Sequence, residues 1–156
     1  MGDKISDGGI LMDMERKQLR YIIAVDPGTE KCGLAVVRSD GDVLVKEIVP
    51  AHHLIRRMGD VARRYSPALV VIGDGTGAQS LMELMRTEGI CPLVLGVKAV
   101  DEHLTSQKAR MRYLEDRRKK GKWVHRLTPL GMQTPDGPYD DYVAVILAER
   151  YLSQMH

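Results

Sequence analysis

Five acids stand where this chain could do chemistry: Asp26, Asp74, Glu102, Asp140 and Asp141. Asp26 ends an apolar run, Tyr21 to Val25, and opens a Pro-Gly turn. Asp74 follows the apolar run Ala68 to Ile72, and Glu102 follows the run from Pro92 to Val100. Asp140 and Asp141 open an apolar segment with helical spacing. Carboxylates crowded together without partners repel and shift each other's titration. A divalent cation removes that conflict, and hard oxygen ligands suit Mg²⁺ or Mn²⁺. Two such ions about 3.5–4 Å apart activate water and stabilise the leaving oxygen of a phosphodiester. Each acid also has a plainer role. Asp140 or Asp141 suits a helix start, Asp74 a turn, and Glu102 an ion pair with a basic residue such as Arg110. Gly28 is expected to let a phosphate or metal approach the Asp26 turn.

The elements that must position these acids follow from pattern. Residues 20–26, 33–39 and 43–49 read as three strands joined by short turns, an antiparallel meander. Residues 52–65 then carry Leu54, Ile55, Met58, Val61 and Ala62 at helical spacing. An apolar strand over 68–72, a helix over 78–87 and a strand over 92–100 follow. A basic helix covers 104–120, with Leu104, Met111 and Leu114 as its apolar stripe. Residues 121–139 read as a long loop before a final helix over 142–152. Helices between apolar strands imply right-handed parallel crossovers. The expectation is a five-stranded mixed α/β sheet with helices on both faces, with the first strand central beside the fourth. Residues 1–19 read as a flexible leader, and residues 20–156 as one domain.

The formal charge is only +2, but it is unevenly spread. Between His103 and Arg126 there are nine Lys or Arg against two acids. Arg56, Arg57, Arg63 and Arg64 form a second cluster. Such local fields suit a polyanion. Two cysteines without ligand spacing favour neither a disulfide framework nor a zinc site. No apolar run is long enough for a membrane span, so a cytoplasmic location and no membrane partner are expected. Trp123, among lysines and Arg126, suits either base stacking or a lid over the core.

Four segments together resemble the YqgF/RuvX family. They are Asp26-Pro-Gly-Thr-Glu-Lys-Cys-Gly-Leu-Ala-Val, Val71-Ile-Gly-Asp-Gly, Val100-Asp-Glu-His-Leu-Thr-Ser and Asp140-Asp-Tyr-Val-Ala-Val-Ile-Leu-Ala-Glu-Arg-Tyr-Leu. Order and spacing agree over about residues 20–153. The third segment carries His103 where the family has arginine, and Gly73-Asp-Gly-Thr-Gly replaces the family's usual turn. The resemblance implies an RNase H-like fold of the RuvC/YqgF type. It implies Asp26, Glu102 and Asp140 as catalytic and metal-holding residues, with Asp74, Asp141 and His103 as additional candidates. In the related RuvC resolvases a fourth-strand acid is used, which leaves Asp74 or Glu102 as the third ligand.

The resulting expectation is a Mg²⁺- or Mn²⁺-dependent endonuclease acting on structured nucleic acid, either Holliday-junction-like DNA or precursor ribosomal RNA. Lys31, Lys108, Arg110, Arg117, Arg118 and Lys119 are the candidate nucleic-acid contacts. Two alternatives stand beside it: a non-catalytic nucleic-acid or ribosome-associated module, and a nucleotide-binding domain of the actin and sugar-kinase type. Monomer and homodimer are both open.

Overall fold

The computed structural model describes residues 17–120, 135 and 137–155. Residues 1–16 of the expected leader lie outside them, as do Trp123 and most of the expected long loop. The chain builds β1 (Tyr21–Asp26), β2 (Lys31–Arg38) and β3 (Val43–Pro50) as an antiparallel meander. A short 3₁₀ turn, Ala51–His53, leads into α1 (Leu54–Arg64). Then follow β4 (Ala68–Gly73), α2 (Ala78–Thr87), β5 (Val97–Val100), α3 (Thr105–Lys119) and α4 (Asp140–Met155). The sheet order is β3-β2-β1-β4-β5, with β4 parallel to β1 and β5 parallel to β4. β1 is central beside β4, as the order of apolar runs predicts.

Strand alternation divides the core into two layers. Ile23, Val25, Leu34, Val36, Val70 and Ile72 pack under α1 and α2. Ile22, Ala24, Ala35, Val37, Leu69 and Val71 face the other way, under α3 and α4. On this second face the middle of β1 and β2 carries only alanines, with Ala24 opposite Ala35. Small side chains there let a helix lie close to the sheet, and α4 packs across β2 and β1. Leu19, just before β1, already belongs to this core.

Three local differences from the sequence pattern have physical causes. The apolar run from Pro92 divides into a 3₁₀ turn, Cys91–Leu93, and a four-residue β5, because Pro92 lacks the amide a ladder needs. Leu104 is not part of the buried stripe of α3. It is 45% exposed and sits at φ 61°, in the left-handed region, as the residue that starts the helix. Leu114 is buried as expected, Met111 is half-buried, and Ala109 and Tyr113 complete the buried face. The space over Gly28 belongs to the chain itself. A β-carbon there would overlap the Lys31 carbonyl oxygen, so the glycine closes the turn rather than admitting a ligand.

Candidate functional site

β1, β4 and β5 all end on one side of the sheet, where α/β proteins place their ligands. Asp26 is the last residue of β1, and alternation turns it toward the α3/α4 face. Its ladder partner on β2 is Gly33. On β4 the parallel register puts Gly73 at the same level, one step beyond the Val25–Ile72 pair. Asp26 is thus flanked on both sides by residues without side chains.

Each glycine leaves a space that another element fills. A β-carbon on Gly33 would overlap the carbonyl oxygen of Asp140, so the first turn of α4 rests directly on β2. A β-carbon on Gly73 would stand 2.7 Å from Glu102 Oε2, and one on Gly75 would overlap Glu102 Oε1. Such separations are sub-van-der-Waals, so any larger residue must displace the carboxylate. Two glycines in the segment 73–77 therefore seat Glu102. We expect Gly75→Ala to move that carboxylate and to weaken Mn²⁺ binding about 10–100-fold. Isothermal titration against the wild type measures the change.

The carboxylates feel one another. Burial, then the charge of Asp140, then that of Glu102 push the Asp26 pKa from 3.8 up to about 7. Burial likewise raises the neighbouring Cys32 thiol, whose sulfur accepts from the Gly28 amide at 3.3 Å. Among the described residues no three His, Cys, Asp or Glu side chains already stand as a ligand cluster. The donor set nonetheless fits a hard divalent cation: three carboxylates, one of them raised toward neutrality by burial and by the charges of the other two.

The other acids have distinct partners. Asp74 Oδ1 accepts the Glu102 amide at 3.1 Å, so this acid secures the backbone from which Glu102 projects. The charge of Asp141 acts on Lys46 and Tyr142. The Lys46 ammonium lies 3.4 Å above the Tyr142 ring, and the Tyr142 hydroxyl donates to Asp116 Oδ2 at 3.0 Å. Burial followed by this hydrogen bond pushes the Tyr142 pKa up to about 12. The network ties the first turn of α4 to β3 and α3. Sequence patterns gave no hint of it, since Lys46, Asp116 and Tyr142 are remote in the chain.

His103 is exposed in the turn after Glu102, its amide donating to Asp101 Oδ1 at 2.9 Å. Lys31 is exposed at the start of β2, on the Asp26 side of the sheet. Lys108 is exposed near the start of α3, and Arg110 is half-buried. Arg117 is also half-buried, its guanidinium 5.7 Å from the Tyr113 ring centre. Arg118 and Lys119 are exposed at the far end of α3, which at 1.5 Å per residue lies about 20 Å from the Glu102 turn.

No protein-family model matches the chain, and no curated protein matches it. Solved structures do. T. thermophilus RuvC in complex with Holliday junction substrate superposes with a TM-score of 0.52 at 17% identity, covering 87% of this chain and 96% of that one. A second Thermus thermophilus RuvC structure gives 0.48 at 15% identity, covering 86% and 95%. The likeness at this identity is one of fold: a five-stranded mixed sheet with helices, of the RNase H-like kind built by RuvC.

Proposed function

We propose that the chain is a divalent-metal-dependent endonuclease acting on structured nucleic acid, branched DNA or precursor ribosomal RNA, within the YqgF/RuvX branch of this fold. The observation that carries the reading is the convergence on Asp26: Asp140 over Gly33 on one side, Glu102 over Gly73 and Gly75 on the other. The motif resemblance across residues 20–153 supports the branch, and the RuvC-like fold supports the reaction class.

Asp26, Glu102 and Asp140 would hold the ion. When bound, Mg²⁺ or Mn²⁺ supplies charge neutralisation and Lewis acidity for attack of water on a phosphodiester. Asp74 keeps the Glu102 turn in place rather than acting as third ligand. Lys31, exposed at the start of β2, and Lys108, exposed near the start of α3, take phosphate oxygens of the substrate. Arg118 and Lys119 hold a more distant stretch of backbone and carry no sequence preference. The direct test is cleavage of a four-way DNA junction and of precursor ribosomal RNA with Mg²⁺ or Mn²⁺, using Asp26→Asn as control. Binding of either substrate without cleavage by the wild type would favour the non-catalytic module.

Affinity for that substrate should fall steeply as salt rises, through counterion release. Replacing Lys108, Arg118 and Lys119 together by Glu should lower affinity at least about 10-fold at 50 mM salt and flatten the salt dependence. Filter binding at several salt concentrations reads both. Unchanged affinity would make α3 a solvated face.

A further inference from the structure

The turn that bears Glu102 is held from several directions. Its amide donates to Asp74 Oδ1 at 3.1 Å, and its carbonyl accepts the Thr105 hydroxyl at 2.6 Å and the Thr105 amide at 3.0 Å. Apart from the tyrosines and Cys32, Thr105 is the only buried side chain with a polar group among the described residues. Leu104 sits next to it in the left-handed region, a conformation that a branched apolar side chain adopts only when its surroundings compel it. One further group reaches this turn from another element. Arg150 of α4 donates through Nη1 to the Asp101 carbonyl and through Nη2 to the His103 carbonyl at 2.8 Å. Its two arms grip the residues on either side of Glu102.

Arg150 also lies on the helix that supplies Asp140. α4 starts over Gly33 of β2, passes Gly73 of β4 with Leu147, and reaches the end of β5 with Arg150. The helix therefore fixes Asp140 covalently and the Glu102 turn through two hydrogen bonds. A charged guanidinium donating to two carbonyls makes a stiff, planar link that lysine reproduces only in part.

We propose that Arg150 is a positioning residue: its clamp on the Asp101 and His103 carbonyls sets Glu102 in register with Asp140 and Asp26. This rests on the nuclease reading for its consequence, but the clamp has a test of its own. In Arg150→Ala, amide hydrogen exchange at Glu102, His103 and Thr105 should quicken about 10-fold or more, because the turn opens locally. Exchange in β1 and β4 should stay unchanged.

On a cleaved substrate, kcat should drop about 10²-fold, the scale of a 1 Å misplacement, with KM within about twofold of wild type. Arg150→Lys should restore part of kcat, and millimolar guanidinium should restore part of it to the alanine variant. Unaltered exchange at residues 102–105 in Arg150→Ala overturns the proposal, whatever the activity. Quickened exchange with wild-type kcat overturns the positioning role. A fall in kcat that neither lysine nor guanidinium relieves does the same, since it marks a general loss of structure. Should the wild type cleave nothing, the nuclease reading fails, and exchange together with Mn²⁺ affinity decides the role of Arg150: a variant that binds Mn²⁺ as tightly as wild type overturns it.

Discussion

Replacing Asp26 by Asn is expected to abolish cleavage and, at the same time, to stabilise the metal-free protein above pH 7. The folded carboxyl holds its proton up to about pH 7, whereas an unfolded Asp loses it near 3.8. The native state thus binds the extra proton between those values, and stability falls as pH rises through that window. Above it the full penalty of a charged, half-buried Asp26 remains. The rise from 3.8 to about 7 sets a ceiling of about 4 kcal/mol, and partial exposure to water reduces the expected gain to about 1–2 kcal/mol. The Asn variant should match wild type near pH 4 and melt about 2–6 °C higher at pH 8. Mn²⁺ at pH 8 should raise the wild-type melting temperature and leave the variant nearly unmoved. Calorimetric scans from pH 4 to 8 measure every arm. A variant less stable than wild type at pH 8 would mean that Asp26 is not under electrostatic stress.

Gly33→Ala should have the largest structural effect of any glycine-to-alanine change among the described residues. The new β-carbon meets backbone, the Asp140 carbonyl, and no side-chain rotation relieves it. Either α4 lifts from β2 or β2 distorts, at a cost of about 3 kcal/mol or more and a melting temperature lower by about 6–12 °C. Lifting α4 also withdraws Asp140 from Asp26, so Mn²⁺ affinity should fall with stability. Gly41→Ala is the control. Gly41 has open space around its β-position but a φ of +100°, so its cost is local strain with no effect on metal binding. Thermal melts and Mn²⁺ titrations on both variants separate the two causes.

The sheet was readable from the chain because its strands are short apolar runs punctuated by Pro, Gly and Asp. β1 and β2 are apolar on both faces, so which of their residues face α4 emerges only from the structure. The acids at strand ends could be singled out because a carboxylate after an apolar run is unusual. What surrounds them was less legible. The segment Gly73-Asp-Gly-Thr-Gly reads as a loop, and nothing in it announces that Gly73 and Gly75 make a seat for a side chain some thirty residues later. The partner of such a glycine is defined only by tertiary packing. Arg150 was hidden for a similar reason. It lies in an apolar helix, ten residues after the acid that draws attention, and its acceptors are backbone carbonyls that carry no sequence signature. Leu104 misled because helical spacing is blind to a left-handed residue at the helix start.

The path of α4 has a mechanical consequence. A rod anchored at β2 and gripping the turn after β5 transmits displacement between them with little loss, because the middle of its path is close-packed against alanines and Gly73. Asp140 and the Glu102 turn are thereby held to one rod, while Asp26 belongs to the sheet. The spacing between the central strand and its two flanking acids is in that sense gauged by a single element, α4.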